Sequence, residues 1–151
     1  QPRIRYLDKI SKPLRDLDGY PGVKPPWGTL TAINLNTGKI TWQVPLGHYE
    51  SLKSKGINTG TENFGGATAT AGGLVFAAGT LDKLIRAFDS ETGTELWSHK
   101  LPYIGSAPPT SYEINGEQYI VIPATGGIIL KKNYGNLVEL GDAVVAFKIQ
   151  D

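Results

Sequence analysis

Few residues in this 151-residue chain are equipped for chemistry, and they are scattered. His48 and His99 are its only histidines, and their separation shows no metal-ligand spacing. Asp89-Ser90-Glu91 opens like a calcium loop, but Thr92-Gly93 and then Trp97 follow where further oxygen ligands would be needed. Turn stabilisation accounts better for those carboxylates. No Ser-x-x-Lys or Gly-x-Ser-x-Gly element supports hydrolase chemistry. The absence of cysteine excludes disulfides, thiolate metal sites and cysteine nucleophiles. Two glycine-flanked stretches are more promising: Asn63-Phe64-Gly65-Gly66 and Ala124-Thr125-Gly126-Gly127. Glycines let a backbone approach a neighbour closely, and Phe64 offers an aromatic face. The structural alternative is a core phenylalanine with glycines that merely start a strand. Lys131, Lys132 and Asn133 could meet carboxylates, or they are solvated loop residues.

These residues must be positioned by strands. Nineteen glycines and ten prolines favour many turns over long helices. "TLTAINL" (29–35) runs through "NTGK" and returns as "ITWQV" (40–44); "KLIRAFDS" (83–90) runs through "ETGT" and returns as "ELWSHKL" (95–101). Both copies place Ala, Asn or Asp, Thr-Gly and Trp in one order, with Trp42 and Trp97 55 positions apart. Gly38 and Gly93 sit where a hairpin turn needs positive φ, and Asn34 and Asp89 can accept turn amides. A buried tryptophan removes roughly 150–250 Å² from water, worth about 4–6 kcal/mol. Each indole is therefore expected to pack against a neighbouring sheet.

The copies extend into larger units. "GATATA" (66–71) and "LVFAAG" (74–79) precede the second hairpin and complete four strands. "PPTSYEI" (108–114), an Asn115-Gly116 turn, "EQYIVIPA" (117–124) and "AVVAFKI" (143–149) match the first three strands of that unit. Before the first hairpin, residues 1–26 read as an irregular lead-in, leaving 27–151 as the sheet-forming region. Residues 128–140 read as a long loop over one end. Four-stranded units recurring about every fifty residues are what a β-propeller requires. The expected fold is all-β, a partial propeller whose last blade is completed by a strand from elsewhere; a two-sheet sandwich is the alternative. First strands line a propeller's channel, which would put Gly65-Gly66 and Thr125-Gly126-Gly127 at the axis, with His48 close enough to reach it.

Composition limits the partners. A net charge of +1 and no basic run longer than Lys131-Lys132 give no case for nucleic acid or an anionic membrane. No stretch approaches eighteen apolar residues. The chain opens without an initiator methionine or signal segment, as a mature end or a fragment would.

The repeated string resembles the tryptophan-docking motif of quinoprotein dehydrogenases, Ala-x-Asp-x-x-Thr-Gly-x-x-x-Trp. Ala87, Asp89, Thr92, Gly93 and Trp97 match it throughout, and the first copy departs by Asn34. "DGYPGVKPPWGTLTAINL" (18–35), "GGATATAGGLVFAAGTLDKLIRAFDSETGTELW" (65–97) and "PPTSYEINGEQYIVIPATGG" (108–127) are similar to the last quarter of membrane-type glucose and polyol dehydrogenases. The resemblance implies the C-terminal blades of an eight-bladed propeller that uses pyrroloquinoline quinone (PQQ) to oxidise a sugar, polyol or other alcohol. It implies Ca2+ or Mg2+ held by ligands outside this chain, and no catalytic residue within it. The rest of the propeller and a quinone or cytochrome acceptor would be its partners. The location would be periplasmic, or the outer face of the cytoplasmic membrane with membrane association. Asn63, Phe64, Gly65, Gly66, Thr125, Gly126 and Gly127 correspond to segments beside the cofactor. The same repeat also occurs in non-catalytic propeller scaffolds of outer-membrane assembly lipoproteins, the alternative reading.

Overall fold

The computed structural model describes residues 13–148. Nine strands form three antiparallel sheets in chain order. The first pairs β1 (Thr29–Asn34) with β2 (Lys39–Pro45). The second runs β3 (Ala67–Ala69), β4 (Leu74–Ala77), β5 (Leu84–Asp89) and β6 (Glu95–Lys100). The third has β7 (Thr110–Ile114), β8 (Glu117–Ala124) and β9 (Ala143–Lys148). Two, four and three strands are the counts the repeat implies. Ahead of β1, residues 13–26 contribute an isolated Arg15–Pro21 bridge.

The sheets pack on one another in succession. Leu30, Val44 and Leu46 meet Val75, Ala77 and Phe88, joining the first sheet to the second. Ile85 and Leu101, with Phe76, meet Ile120, Ile122 and Ala124, with Val145 and Phe147, joining the second to the third. β5 is therefore covered on both faces, and Ile85 to Phe88 are all buried. β9, with one face inward, alternates strictly between half-buried and exposed positions although its AVVAFK sequence is apolar at all but the last.

The two copies of the repeated hairpin share one irregularity. Ala32 faces Trp42 and Ala87 faces Trp97, and the register slips immediately afterwards in both. Each alanine leaves room for the indole opposite, and the bulge twists the returning strand. Trp42 then reaches the second sheet: its Nε1 donates to the Ser90 carbonyl at 3.0 Å, and its ring lies over Gly93. Gly93 has φ +73°, and a Cβ there would sit 2.6 Å from the indole. One glycine thus serves both the turn and the neighbour's tryptophan. Asp89 Oδ1 accepts the amides of Glu91 and Thr92, and Asn34 does the same for Asn36 and Thr37. Trp97 lies edge-on to Phe147 of the third sheet at 5.2 Å, yet stays 39% exposed.

The 128–140 loop is a correction: it contains helix α2 (Ile128–Tyr134) and a 3-10 turn (Gly135–Leu137). Leu130 and Tyr134, one helical turn apart, bury one face against Ile104 and Val138. A further short helix, α1 (Glu50–Lys53), lies between β2 and β3.

Candidate functional site

In each sheet the odd-numbered strands up to β5, and then β7 and β9, start at the end where their partners finish, so the connections fall into two sets. The hairpins at 35–38, 70–73, 90–94 and 115–116 lie at one end. The longer segments 46–66, 78–83, 101–109 and 125–142 lie at the other, and all seven glycine-flanked candidates belong there.

The first segment is tied down residue by residue. Asn63 Nδ2 donates to the Ala78 carbonyl at 2.6 Å, and Asn63 Oδ1 accepts the Gly65 amide at 2.8 Å. The Phe64 amide bonds the Gly79 carbonyl, leaving the side chain 42% exposed. Gly65 and Gly79 touch through backbone alone: a Cβ on Gly65 would lie 2.4 Å from the Ala78 oxygen. In the second segment the Gly126 amide donates to Ile104 at 2.9 Å, and Thr125 Oγ1 is 3.3 Å from Ser106 Oγ. The 104–109 strip joins the two, since a Cβ on Gly79 would come within 3.3 Å of the Gly105 carbonyl.

A Cβ on Gly66 would meet Pro108 Cγ at 2.7 Å, and one on Gly127, at φ +78°, would meet Ser106 at 3.2 Å. Both glycines accommodate protein before any ligand. His48 is buried, 9% exposed. Its Nδ1 is 3.0 Å from Asp82 Oδ2 and 3.3 Å from Arg86 Nη2, and its Nε2 is 3.1 Å from Glu50 Oε2. Arg86 also pairs with Asp82 and with Glu95. Burial alone would raise the Asp82 carboxyl, but hydrogen bonding and charge from Arg86, with help from Thr80 and the Leu84 amide, hold it below its ordinary value.

Sequence reasoning passed over a second cluster at this end. Tyr20 stacks on Trp27 at 5.8 Å, and Tyr49 sits edge-on to both. The Tyr49 hydroxyl donates to Glu62 Oε2 at 3.1 Å. Arg15 Nη2 lies 3.5 Å from Glu62 Oε1, and its guanidinium covers the Tyr134 ring at 4.4 Å. Burial, with the neighbouring Glu62 carboxylate, pushes the Tyr134 phenol up to about 12. Only Arg15, Tyr20 and Trp27 lie close together in the sequence; Tyr49 and Tyr134 join them through the fold.

The described residues contain no group of three His, Asp or Glu side chains suited to a metal ion. They do suit the edge of a flat organic group: a half-exposed phenylalanine beside side-chain-free backbone, with the Ser106 and Thr125 hydroxyls on the adjoining strip.

Successive antiparallel sheets of two, four and three strands, the first tied to the second by Trp42, define part of a propeller, and the comparisons agree that it is of the quinoprotein type. The family described as the PQQ "Glucose/ethanol/alcohol dehydrogenase, beta-propeller domain" matches residues 3–120. This chain belongs to that family. It is 41% identical to a probable quinate dehydrogenase (quinone) from Xanthomonas campestris pv. juglandis, over 88% of this chain and 17% of the relative. It is 34% identical to the quinoprotein glucose dehydrogenase of Escherichia coli K12, over 88% and 17%. Among solved structures, the quinohemoprotein alcohol dehydrogenase ADHIIG of Pseudomonas putida HK5 superposes with a TM-score of 0.59 at 27% identity, over 80% of this chain and 16% of that one. The chain therefore spans about a sixth of the length of these relatives. No helix among the described residues is long and apolar enough to cross a membrane.

Proposed function

We propose that this chain supplies the closing blades of a quinoprotein dehydrogenase that oxidises a polyhydroxylated substrate, a sugar, polyol or cyclic hydroxy acid. The family match over residues 3–120 carries this reading. Relatives named for quinate, glycerol and glucose point to substrates with several hydroxyls. PQQ, when bound beside a divalent cation, supplies a quinone that accepts two electrons from an alcohol carbon. Phe64 would cover an edge of the cofactor with its ring. The 63–66 backbone, held rigid by Asn63, would set the depth of that contact, and Ser106 and Thr125 would offer hydroxyl donors from the adjoining strip. The cation ligands and the proton acceptor belong to other blades. Electrons would leave to a membrane quinone, as the "(quinone)" in two relatives' names suggests, or to a cytochrome. The site would face the periplasm.

The test is reconstitution of the complete protein. Apoprotein given PQQ and Ca2+ or Mg2+ should reduce an artificial dye acceptor with quinate, glucose or glycerol, and be inactive without PQQ. Failure to bind PQQ in a fluorescence titration would overturn the proposal.

A further inference from the structure

We propose that Arg15 is a positioning residue for the cofactor edge, a clasp that sets the separation of the 63–66 and 125–127 segments. The inference rests on the quinoprotein reading. Both segments are glycine-rich, and each takes its rigidity from what adjoins it. Glu62 immediately precedes Asn63; the Tyr49 hydroxyl donates to its Oε2 at 3.1 Å, and the buried Arg15 Nη2 faces its Oε1 at 3.5 Å as an ion pair without a hydrogen bond. On the other side α2 leaves directly from Gly127, with the Lys131 amide bonded to the Gly127 carbonyl at 3.0 Å. The far end of α2 carries Tyr134, 8% exposed, beneath the Arg15 guanidinium. One planar cation therefore grips the residue leading into the first segment and the helix leading out of the second.

Arg15 is itself held. Its Nη1 donates to the Gly19 carbonyl at 2.9 Å, and its backbone bridges Pro21. The lead-in is fastened in turn by the Tyr20–Trp27–Tyr49 stack and by the Trp27 amide on the Thr59 carbonyl at 2.7 Å. An arginine suits the task because one nitrogen can hold the Gly19 carbonyl and another can face the Glu62 carboxylate while its flat face lies on a ring; a lysine keeps the charge and does the rest poorly. The residues that precede β1 are thus part of the site's frame.

The experiment uses the complete protein with Arg15→Gln, Arg15→Lys, Glu62→Gln and the Arg15→Gln/Glu62→Gln double variant. PQQ affinity of the apoprotein is read by fluorescence titration, beside kcat at saturating PQQ and the thermal midpoint. Arg15→Gln and Glu62→Gln should each weaken PQQ binding by roughly tenfold to a hundredfold, with kcat at saturation much less affected. The double variant should lose no more than either single one, and Arg15→Lys should recover part of the loss. A lowered thermal midpoint with unchanged PQQ affinity in Arg15→Lys and Glu62→Gln would make Arg15 a structural brace only, as would fully additive losses. If the unsubstituted protein binds no PQQ, the quinoprotein reading falls and the clasp falls with it; if it binds and the variants match it, the clasp alone is overturned.

Discussion

Asp82 is the most heavily used side chain at the site-bearing end. Its Oδ1 accepts Thr80 Oγ1 at 2.6 Å and the Leu84 amide at 3.1 Å, while Oδ2 accepts the His48 amide at 3.0 Å and pairs with Arg86. Its side chain is 5% exposed and that of Arg86 4%, so neither charge has water to fall back on. Asp82→Asn leaves the half-exposed Glu95 as the one carboxylate paired with the buried guanidinium and should cost about 3 kcal/mol, read from denaturant unfolding. The acid response follows from the same contacts. The folded carboxyl lies below its ordinary 3.8, so its contribution is present above that pH and is lost as pH falls through the folded value. Acid unfolding should lose a steep component below about pH 4 in the native protein and not in Asp82→Asn. At this scale the sequence was partly legible. The turn roles of Asn34, Asp89, Gly38 and Gly93 follow from local chemistry. The ties of His48 do not, because Asp82 and Arg86 come from a different sheet.

The tryptophan hairpin is the element that connects sheets, and its two halves depend on each other. Trp42 needs Ala32 opposite it, a bulge beside it, and a bare glycine on the next sheet. Gly93→Val places atoms where the indole lies and forces φ +73° on a β-branched residue. It should destabilise by about 2–4 kcal/mol, whereas the same change at Gly38, whose added Cβ meets nothing within 4 Å, should carry only the turn cost of about 1 kcal/mol. Paired thermal melts decide it; equal losses would mean that the turn conformation, not the indole seat, is what the glycine protects. All nine strands were readable from alternation and turn residues to within about two positions. α2 was missed because three consecutive apolar residues, Ile128 to Leu130, mask a period. Leu130 and Tyr134 at i and i+4 were its one available signal.

For the whole molecule, the sheets present complementary unfinished features. Trp97 has Phe147 for company but no glycine turn beneath it, and Gly38 has an open seat. Among the described residues, β1 and β9 each have one unpaired edge. A surface that fits a different surface of its own copy gives open, head-to-tail association. Residues 1–151 made alone should therefore sediment as concentration-dependent oligomers, and Trp97→Ala should shift them toward monomer. The same material should show no dye-linked oxidation with PQQ and Ca2+, because on the proposed reading the cation ligands and the proton acceptor belong to other blades. The 63–66 and 125–127 segments should border the cofactor of the assembled quinoprotein propeller. The structure of the complete protein loaded with PQQ tests it most directly. The quinone should lie within about 4 Å of Phe64 and of the 125–127 backbone. PQQ bound at the hairpin end, or on blades that leave both segments in solvent, would contradict it.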